Sequence, residues 1–287
     1  MKQKHLRISL VIPVYNDRKC LEACLTNVSR LKRRPDEVIV VNNNSTDGSD
    51  ELALNFPFVK LLNEHDQGVI HARNHGFDAA SGDIIARIDS DTLLPENWIN
   101  QIEQLFIQQP NLSAVSGSMT YYDFYLTRLS HWMDRIGRKF LARRMKRRVF
   151  LQGANMAIRK NAWKSVRNSV CSSSGIHEDL DLAIHLQEQG FKVSYDEQLR
   201  AEISLRRVGH GFREFAAYCL VSPRTYAKHK LWCRVYMYPI ILLVWMIYPV
   251  AHIVYLSYDS ELKSLSLSAF IANRLSEGRV DPSTNIV

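Results

Sequence analysis

The chain has 287 residues, 46% of them hydrophobic and 23% charged, with a formal net charge of +8. That composition excludes a low-complexity or disordered chain, and the length allows one large domain or two small ones. The basic excess points to anionic partners such as phosphates, nucleic acid or a lipid surface, and five cysteines without a paired framework point to a reducing compartment.

The opening stretch MKQKHLRISLVIPVYND has too short an apolar run for a secretory signal, so a cytosolic start is expected. ISLVIPV, residues 8–14, is short, continuous and β-branched, the pattern of a buried strand. Residues 17–32 carry helical periodicity; Cys20 and Cys24 share a face there and are read as core. DEVIVVN (36–42) is a second strand, followed by a helix that opens on STDGSDELALNF. FVKLLN (58–63) is a third strand, GVIHARNHGFDAA (68–80) a helix, and DIIARID (83–89) a fourth strand. PENWINQIEQLFIQQ (95–109) is a helix with proline at its first position.

Strands alternating with helices predict an α/β fold with a mostly parallel sheet flanked by helices. Ligands bind such sheets at the carboxyl ends of strands. Tyr15-Asn16-Asp17, Asn42-Asn43-Asn44 and Asp89-Ser90-Asp91 all fall there and converge on one crevice. In extended chain Asp89 and Asp91 point to one side, and two like charges so placed repel unless a cation lies between them. The first strand is not followed by a glycine-rich dinucleotide turn, and there is no Walker loop.

Beyond residue 113 the rhythm changes. LSAVSGSMTYYD reads as a strand and exit loop, and 122–148 as a helix with a basic second half. A small-residue turn and strand (QGANMAIRKNAW), then a loop, helix and strand (SSSGIHEDLDLAIHLQEQGFKVSYD), lead to a helical stretch at 208–230. Residues 235–258 contain no Asp, Glu, Lys or Arg, and ~20 apolar residues suffice to cross a bilayer. The alternatives are a buried helix pair or an in-plane hairpin broken at Pro239 and Pro249. Lys228, Lys230 and Arg234 precede the stretch, which places the preceding domain on the cytosolic side. RIGRKFLARRMKRR, residues 135–148, mixes eight basic residues with apolar ones and suits an anionic membrane surface, or else a solvated helix face.

Taken in order, SLVIPVYND, VIVVNNNSTDGS, GVIHARNHGFDAASGDIIARIDSDTLLPENWI, GANMAIRK and HEDLDLAIHLQEQGFKV resemble the family 2 glycosyltransferases, inverting nucleotide-sugar enzymes of the GT-A (Rossmann-like) fold. The resemblance runs from about Ile8 to Tyr226. It implies a catalytic domain over 1–230, with a nucleotide-sugar half at about 1–118 and an acceptor half at about 119–230. A membrane segment at 231–258 and a tail at 259–287 without a readable motif complete the expected layout.

The resemblance also implies roles. Asp91 is expected to ligate Mg²⁺ or Mn²⁺, with Asp89 helping or touching the ribose; the bland alternative is a turn capping the next helix. Pro13, Tyr15 and Asp17 are expected at the base and ribose, unless Asp17 simply caps a helix. Asn42 departs from the family's usual aspartate: uridine is the default base, with guanosine and thymidine open. Gly68 lets the backbone approach the ligand, and Arg73 is expected to touch the nucleotide. Glu178-Asp179 maps onto the family's acidic pair, with Asp179 the base that takes the acceptor's proton. Asp181 follows at i+2, which on a helix diverges, so it is not read as a second metal site. Asn155 is read equally as an acceptor contact or as packing. Arg207, or its neighbour Arg206, is expected at the diphosphate and His210 as a third metal ligand. The processive Gln-x-x-Arg-Trp motif is absent, which favours one sugar per event. The expected partners are a nucleotide-diphospho-sugar, a saccharide or lipid-linked acceptor and a membrane surface, but no nucleic acid. A nucleotidyltransferase, a non-catalytic sugar-nucleotide sensor and a nucleic-acid binder are the rivals.

Overall fold

A computed structural model describes residues 5–144, 150–173, 175–259 and 262–275. The chain divides into two units: Met1–Met119 with Val149–Ser174 and Glu178–Ala201, and Thr120–Arg148 with Gly175–His177 and Glu202–Val287.

The first unit is built on the alternation expected. It opens with β1 (Ile8–Val14), α1 (Arg18–Ser29), β2 (Glu37–Asn42), α2 (Ser49–Leu54), β3 (Val59–Asn63), α3 (Val69–Ala79), β4 (Ile84–Arg87) and α4 (Trp98–Gln108). β5 (Leu112–Tyr121) follows; after an excursion through α5 (Thr127–Arg144) come β6 (Met156–Arg159), α6 (Lys160–Val166), α7 (Glu178–Glu188) and β7 (Lys192–Ile203). The seven strands form one sheet in the order β3-β2-β1-β4-β6-β5-β7. β1 to β4 run parallel, whereas β6 lies antiparallel between β4 and β5.

Strand alternation sends successive side chains to opposite faces. Ile8, Leu10 and Ile12 enter one core with Leu21 and Leu25 of α1 and Trp98, Ile102 and Phe106 of α4. Val11, Ile39 and Val41 enter the other with Phe77 of α3, Trp163 of α6 and Leu182 and Leu186 of α7. Each such large apolar side chain contributes roughly 1.5–3 kcal/mol on full burial, and both sheet faces are covered as a parallel sheet requires. The register places Val14 beside Asn42 and Asn42 beside Asn63, so the carboxyl ends of three strands finish level.

Two local expectations are corrected. β4 ends at Arg87, not at Asp89, so Asp89-Ser90-Asp91 is a turn rather than extended chain. The Thr92 N–H donates to the Asp89 carbonyl at 3.1 Å, and the Asp89 N–H to the Thr92 hydroxyl at 3.2 Å. The fourth helix starts at Trp98, with Pro95 ahead of it accepting the Trp98 N–H at 2.9 Å.

The second unit contains α5, α8 (Phe212–Cys219), α9 (Val221–Lys228) and α10 (Met237–Leu256). β8 (Tyr258–Asp259) pairs antiparallel with β9 (Ser264–Leu265), and α11 (Leu267–Leu275) follows. The tail expected to carry nothing readable thus holds a hairpin and a helix, tied back where Asn273 Nδ2 donates to the Leu256 carbonyl at 3.0 Å. α10 passes through Pro249 unbroken, so a hairpin kinked there is not what forms. Ile241, Tyr248 and Tyr255, spaced by sevens, bury one side of it. Met246, Val250 and Ile253 stand 57–71% exposed on the remainder. Among the described residues, Arg234–Leu256 is long and apolar enough to cross a membrane, with a mean hydropathy of 2.0. The last part of the basic run, 145–148, lies outside the described residues.

Candidate active site

The first unit collects acids at the carboxyl edge of its sheet. Asp17, just past β1, accepts the Ser90 hydroxyl at 2.6 Å. The first strand's exit is thereby tied to the Asp89-Ser90-Asp91 turn. Asp17 is the N-cap residue of α1, its carbonyl accepting the Leu21 N–H at 2.9 Å, but its side chain makes no capping bond to the helix. Asp17 and Asp91 are buried, while the Asp89 side chain is 43% exposed. Their joint field is felt by the Cys24 thiol: burial, then Asp91, Asp17 and Asp89, hold its proton far above the usual thiol range. Carboxylates offer hard oxygen donors, the type that suits Mg²⁺ or Mn²⁺.

The neighbouring strand ends form a hydrogen-bonded frame. Asn42 Oδ1 accepts the Ser45 N–H at 3.1 Å, and its Nδ2 donates to Asn63 Oδ1 at 3.1 Å. One of the two N–H donors of the Asn42 amide is thus engaged within the protein. Asn43 Oδ1 accepts the Gly68 N–H at 2.7 Å. Gly68 sits at φ 138°, in the region that favours glycine, and opens α3. Asn16, also at positive φ, accepts the Thr46 N–H at 2.7 Å, which laces the first loop to the second. Pro13 is half-buried, and Tyr15 between them is 55% exposed.

A buried arginine joins the acidic turn to α7. Arg87, the last residue of β4, is 2% exposed. Its Nη1 donates to Glu178 Oε1 at 2.6 Å and its Nη2 to Asp89 Oδ1 at 3.1 Å. Burial opposes the charge on Arg87, but Glu178, Asp89 and Asp179 hold its proton more firmly than in an ordinary arginine. Burial likewise opposes ionisation of Glu178, yet Arg87 and Arg73 bring its proton affinity below the carboxylate norm. Glu178, expected as part of the catalytic acidic pair, is held in an internal ion pair with Arg87. Asp179, half-buried beside it, accepts the Gly153 N–H at Oδ2 (2.9 Å) and the Leu180 N–H at Oδ1 (2.7 Å). Those two bonds fix the plane of its carboxylate.

Arg73 is the residue expected at the nucleotide. Arg73 has no exposed surface; its guanidinium lies over the rings of Phe77 and Trp163 at 5.7 and 5.3 Å and donates to the Glu178 carbonyl at 3.4 Å. Burial pushes its pKa down to about 10. Asn155 resolves as packing: fully buried, it accepts the Trp98 indole N–H and donates to the Ser118 and Leu199 carbonyls. Arg207 and His210 belong to the second unit, where Arg207 stacks over Tyr218 at 4.0 Å and His210 Nδ1 lies 3.1 Å from Glu214. Arg87 was missed in the sequence. The signal for Arg87 was present: a charged residue inside the buried run IIARID requires a partner.

The sheet order, the helices on both faces and the acids at the strand ends define a GT-A fold. The profile of Glycosyl transferase family 2 matches residues 9–167, more than half of the chain, and the chain belongs to that family. It is 32% identical over 132 residues to the glycosyltransferase GlyG of Streptococcus pneumoniae serotype 4, covering 42% of this chain and 44% of that protein. It is 34% identical over 101 residues to the glycosyltransferase AglE of Haloferax volcanii, covering 33% of each. The matched part thus spans less than half the length of these relatives. Among solved structures, a mannosyltransferase from Pyrobaculum calidifontis in complex with GDP-Man and Mn²⁺ superposes with a TM-score of 0.57 at 17% identity, covering 98% of this chain and 83% of that one. Glucosyl-3-phosphoglycerate synthase from Mycobacterium tuberculosis, in complex with Mn²⁺, UDP-glucose and phosphoglyceric acid, superposes with a TM-score of 0.56 at 17% identity, covering 79% and 80%.

Proposed function

We propose that the protein is an inverting, metal-dependent glycosyltransferase that moves a sugar from a nucleotide diphosphate donor to an acceptor hydroxyl at the cytosolic face of a membrane. The observation that carries this reading is the Arg87 bridge, which sets the Asp89-Ser90-Asp91 turn and the Asp179 helix start in one rigid frame. Neighbours of the same fold hold GDP-Man or UDP-glucose with Mn²⁺, which supports the donor class.

In this scheme Asp91 and Asp89 would hold the cation, which supplies positive charge against the leaving diphosphate. Asp179 accepts the acceptor's proton at a carboxylate oxygen. The acceptor oxygen bonds to the anomeric carbon as the bond from that carbon to the phosphate oxygen breaks, and the nucleoside diphosphate departs. Tyr15 and Asp17 flank the base and ribose. A negatively charged Asp179 favours a hydroxyl over a phosphate as acceptor. The exposed apolar sides of α10, with the basic residues ahead of it and on α5, support a lipid-linked or membrane-proximal saccharide acceptor.

Incubation with a panel of nucleotide sugars and Mn²⁺ or Mg²⁺ tests the reading. Release of nucleoside diphosphate that depends on both Asp91 and Asp179 is expected. Release of pyrophosphate would replace it with nucleotidyl transfer, and donor binding without turnover with a sensor.

A further inference from the structure

Cys171, Asp181 and His185 bring a thiol, a carboxylate and an imidazole within 4.8 Å of one another, in the first unit and outside the proposed reaction. Cys171 lies in the segment after α6. Asp181 and His185 stand one turn apart on α7, at the i, i+4 spacing that places side chains on one helix face. Asp181 has no exposed surface, whereas Cys171 and His185 are partly open. Asp181 Oδ2 accepts the Cys171 N–H at 2.9 Å, which holds the cysteine residue against the helix. Its other oxygen, Oδ1, lies 3.6 Å from His185 Nε2.

At 3.6 Å the His185–Asp181 contact is an ion pair longer than the ~2.7–2.9 Å of a charge-assisted hydrogen bond. Nitrogen and oxygen ligands at ~2.0–2.1 Å on a tetrahedral zinc ion lie ~3.4 Å apart, close to what is found. The mixed thiolate, imidazole and carboxylate set selects zinc, a borderline-soft ion, over the Mg²⁺ or Mn²⁺ that all-oxygen sites favour.

We propose that Cys171, Asp181 and His185 bind a zinc ion, with a fourth donor, water or side chain, completing the tetrahedron. The ion joins the segment after α6 to the helix whose first turn carries Glu178 and Asp179, and it steadies that turn from outside the reaction centre. This site is separate from the Asp89 and Asp91 carboxylates and does not depend on the glycosyl-transfer reading.

The full-length protein, stripped with a chelator, is titrated with Co²⁺ and then Zn²⁺. One equivalent of Co²⁺ should give the thiolate-to-cobalt charge-transfer band of a tetrahedral site, and Zn²⁺ should bleach it. The band should vanish in Cys171→Ser, persist in Asp91→Asn, and demand about tenfold or more higher metal in His185→Ala. Stoichiometric Zn²⁺ should raise the wild-type Tm by several degrees. A folded wild-type protein without the band or the Tm rise, or a band that survives Cys171→Ser, overturns the assignment.

Discussion

The Arg87 guanidinium lies 2.6 Å from the Glu178 carboxylate, across 91 positions of sequence, with both side chains buried. The same guanidinium holds Asp89 at 3.1 Å. Removing one member of a buried pair leaves an uncompensated charge, at a cost of about 3–5 kcal/mol. Arg87→Met should therefore lose that much in urea unfolding, and Arg87→Met with Glu178→Gln should recover part of it. If the double variant is no more stable than the single one, the pair does not anchor the helix start.

Asp179→Asn keeps the volume but cannot take a proton. Donor binding, read by calorimetry with UDP- or GDP-sugars, should persist while turnover falls about 10²–10⁴-fold. Asp91→Asn should show the opposite split, losing metal-dependent donor binding first. Equal turnover in wild type and Asp179→Asn would remove the base assignment.

Gly153 is confined by the bridge. A Cβ there would lie 2.3 Å from Arg87 Nη1, so a methyl group must push the guanidinium off its carboxylates. Gly153→Ala should cost about 1–3 kcal/mol by overpacking and slow turnover as well. Gly137→Ala, mid-α5, where a Cβ meets nothing within 4 Å, is the control expected to leave turnover unchanged and to raise stability by about 0.5–1 kcal/mol.

Asp123 gives a pH signature. Burial pushes its pKa up to about 6, against the bonds it accepts from the Ser204 hydroxyl and the Leu205 N–H. A carboxyl that holds its proton more tightly folded than unfolded adds stability that is complete below the unfolded value of 3.8 and lost as pH rises through about 6. The stability difference between wild type and Asp123→Asn should therefore shift against the wild type from pH 4 to 6 and be flat above about 7. A difference that does not change with pH would mean that Asp123 ionises normally.

The exposed side of α10 predicts lipid contact. Wild type should co-float with vesicles rich in anionic lipid, and Met246→Glu with Val250→Glu should weaken this without lowering the Tm, because both residues are 64% or more exposed. Unchanged flotation would move the anchor to the exposed Trp132, Ile136 and Phe140 of α5.

The sequence by itself determined the alternation of β1 to β4 with their helices, because strand and helix periods and turn residues are written locally. The ends of β1 to β4 fell within two residues of expectation, and the polar clusters at 15–17, 42–44 and 89–91 were legible as candidates for one crevice. Only the tertiary structure decided that β6 inserts antiparallel between β4 and β5, that Arg73 is walled in by Phe77 and Trp163, and that Glu178 is spent on Arg87. Those outcomes depend on which distant groups share a low-dielectric interior, where a buried charge must find its opposite. No local pattern of residues records that partner.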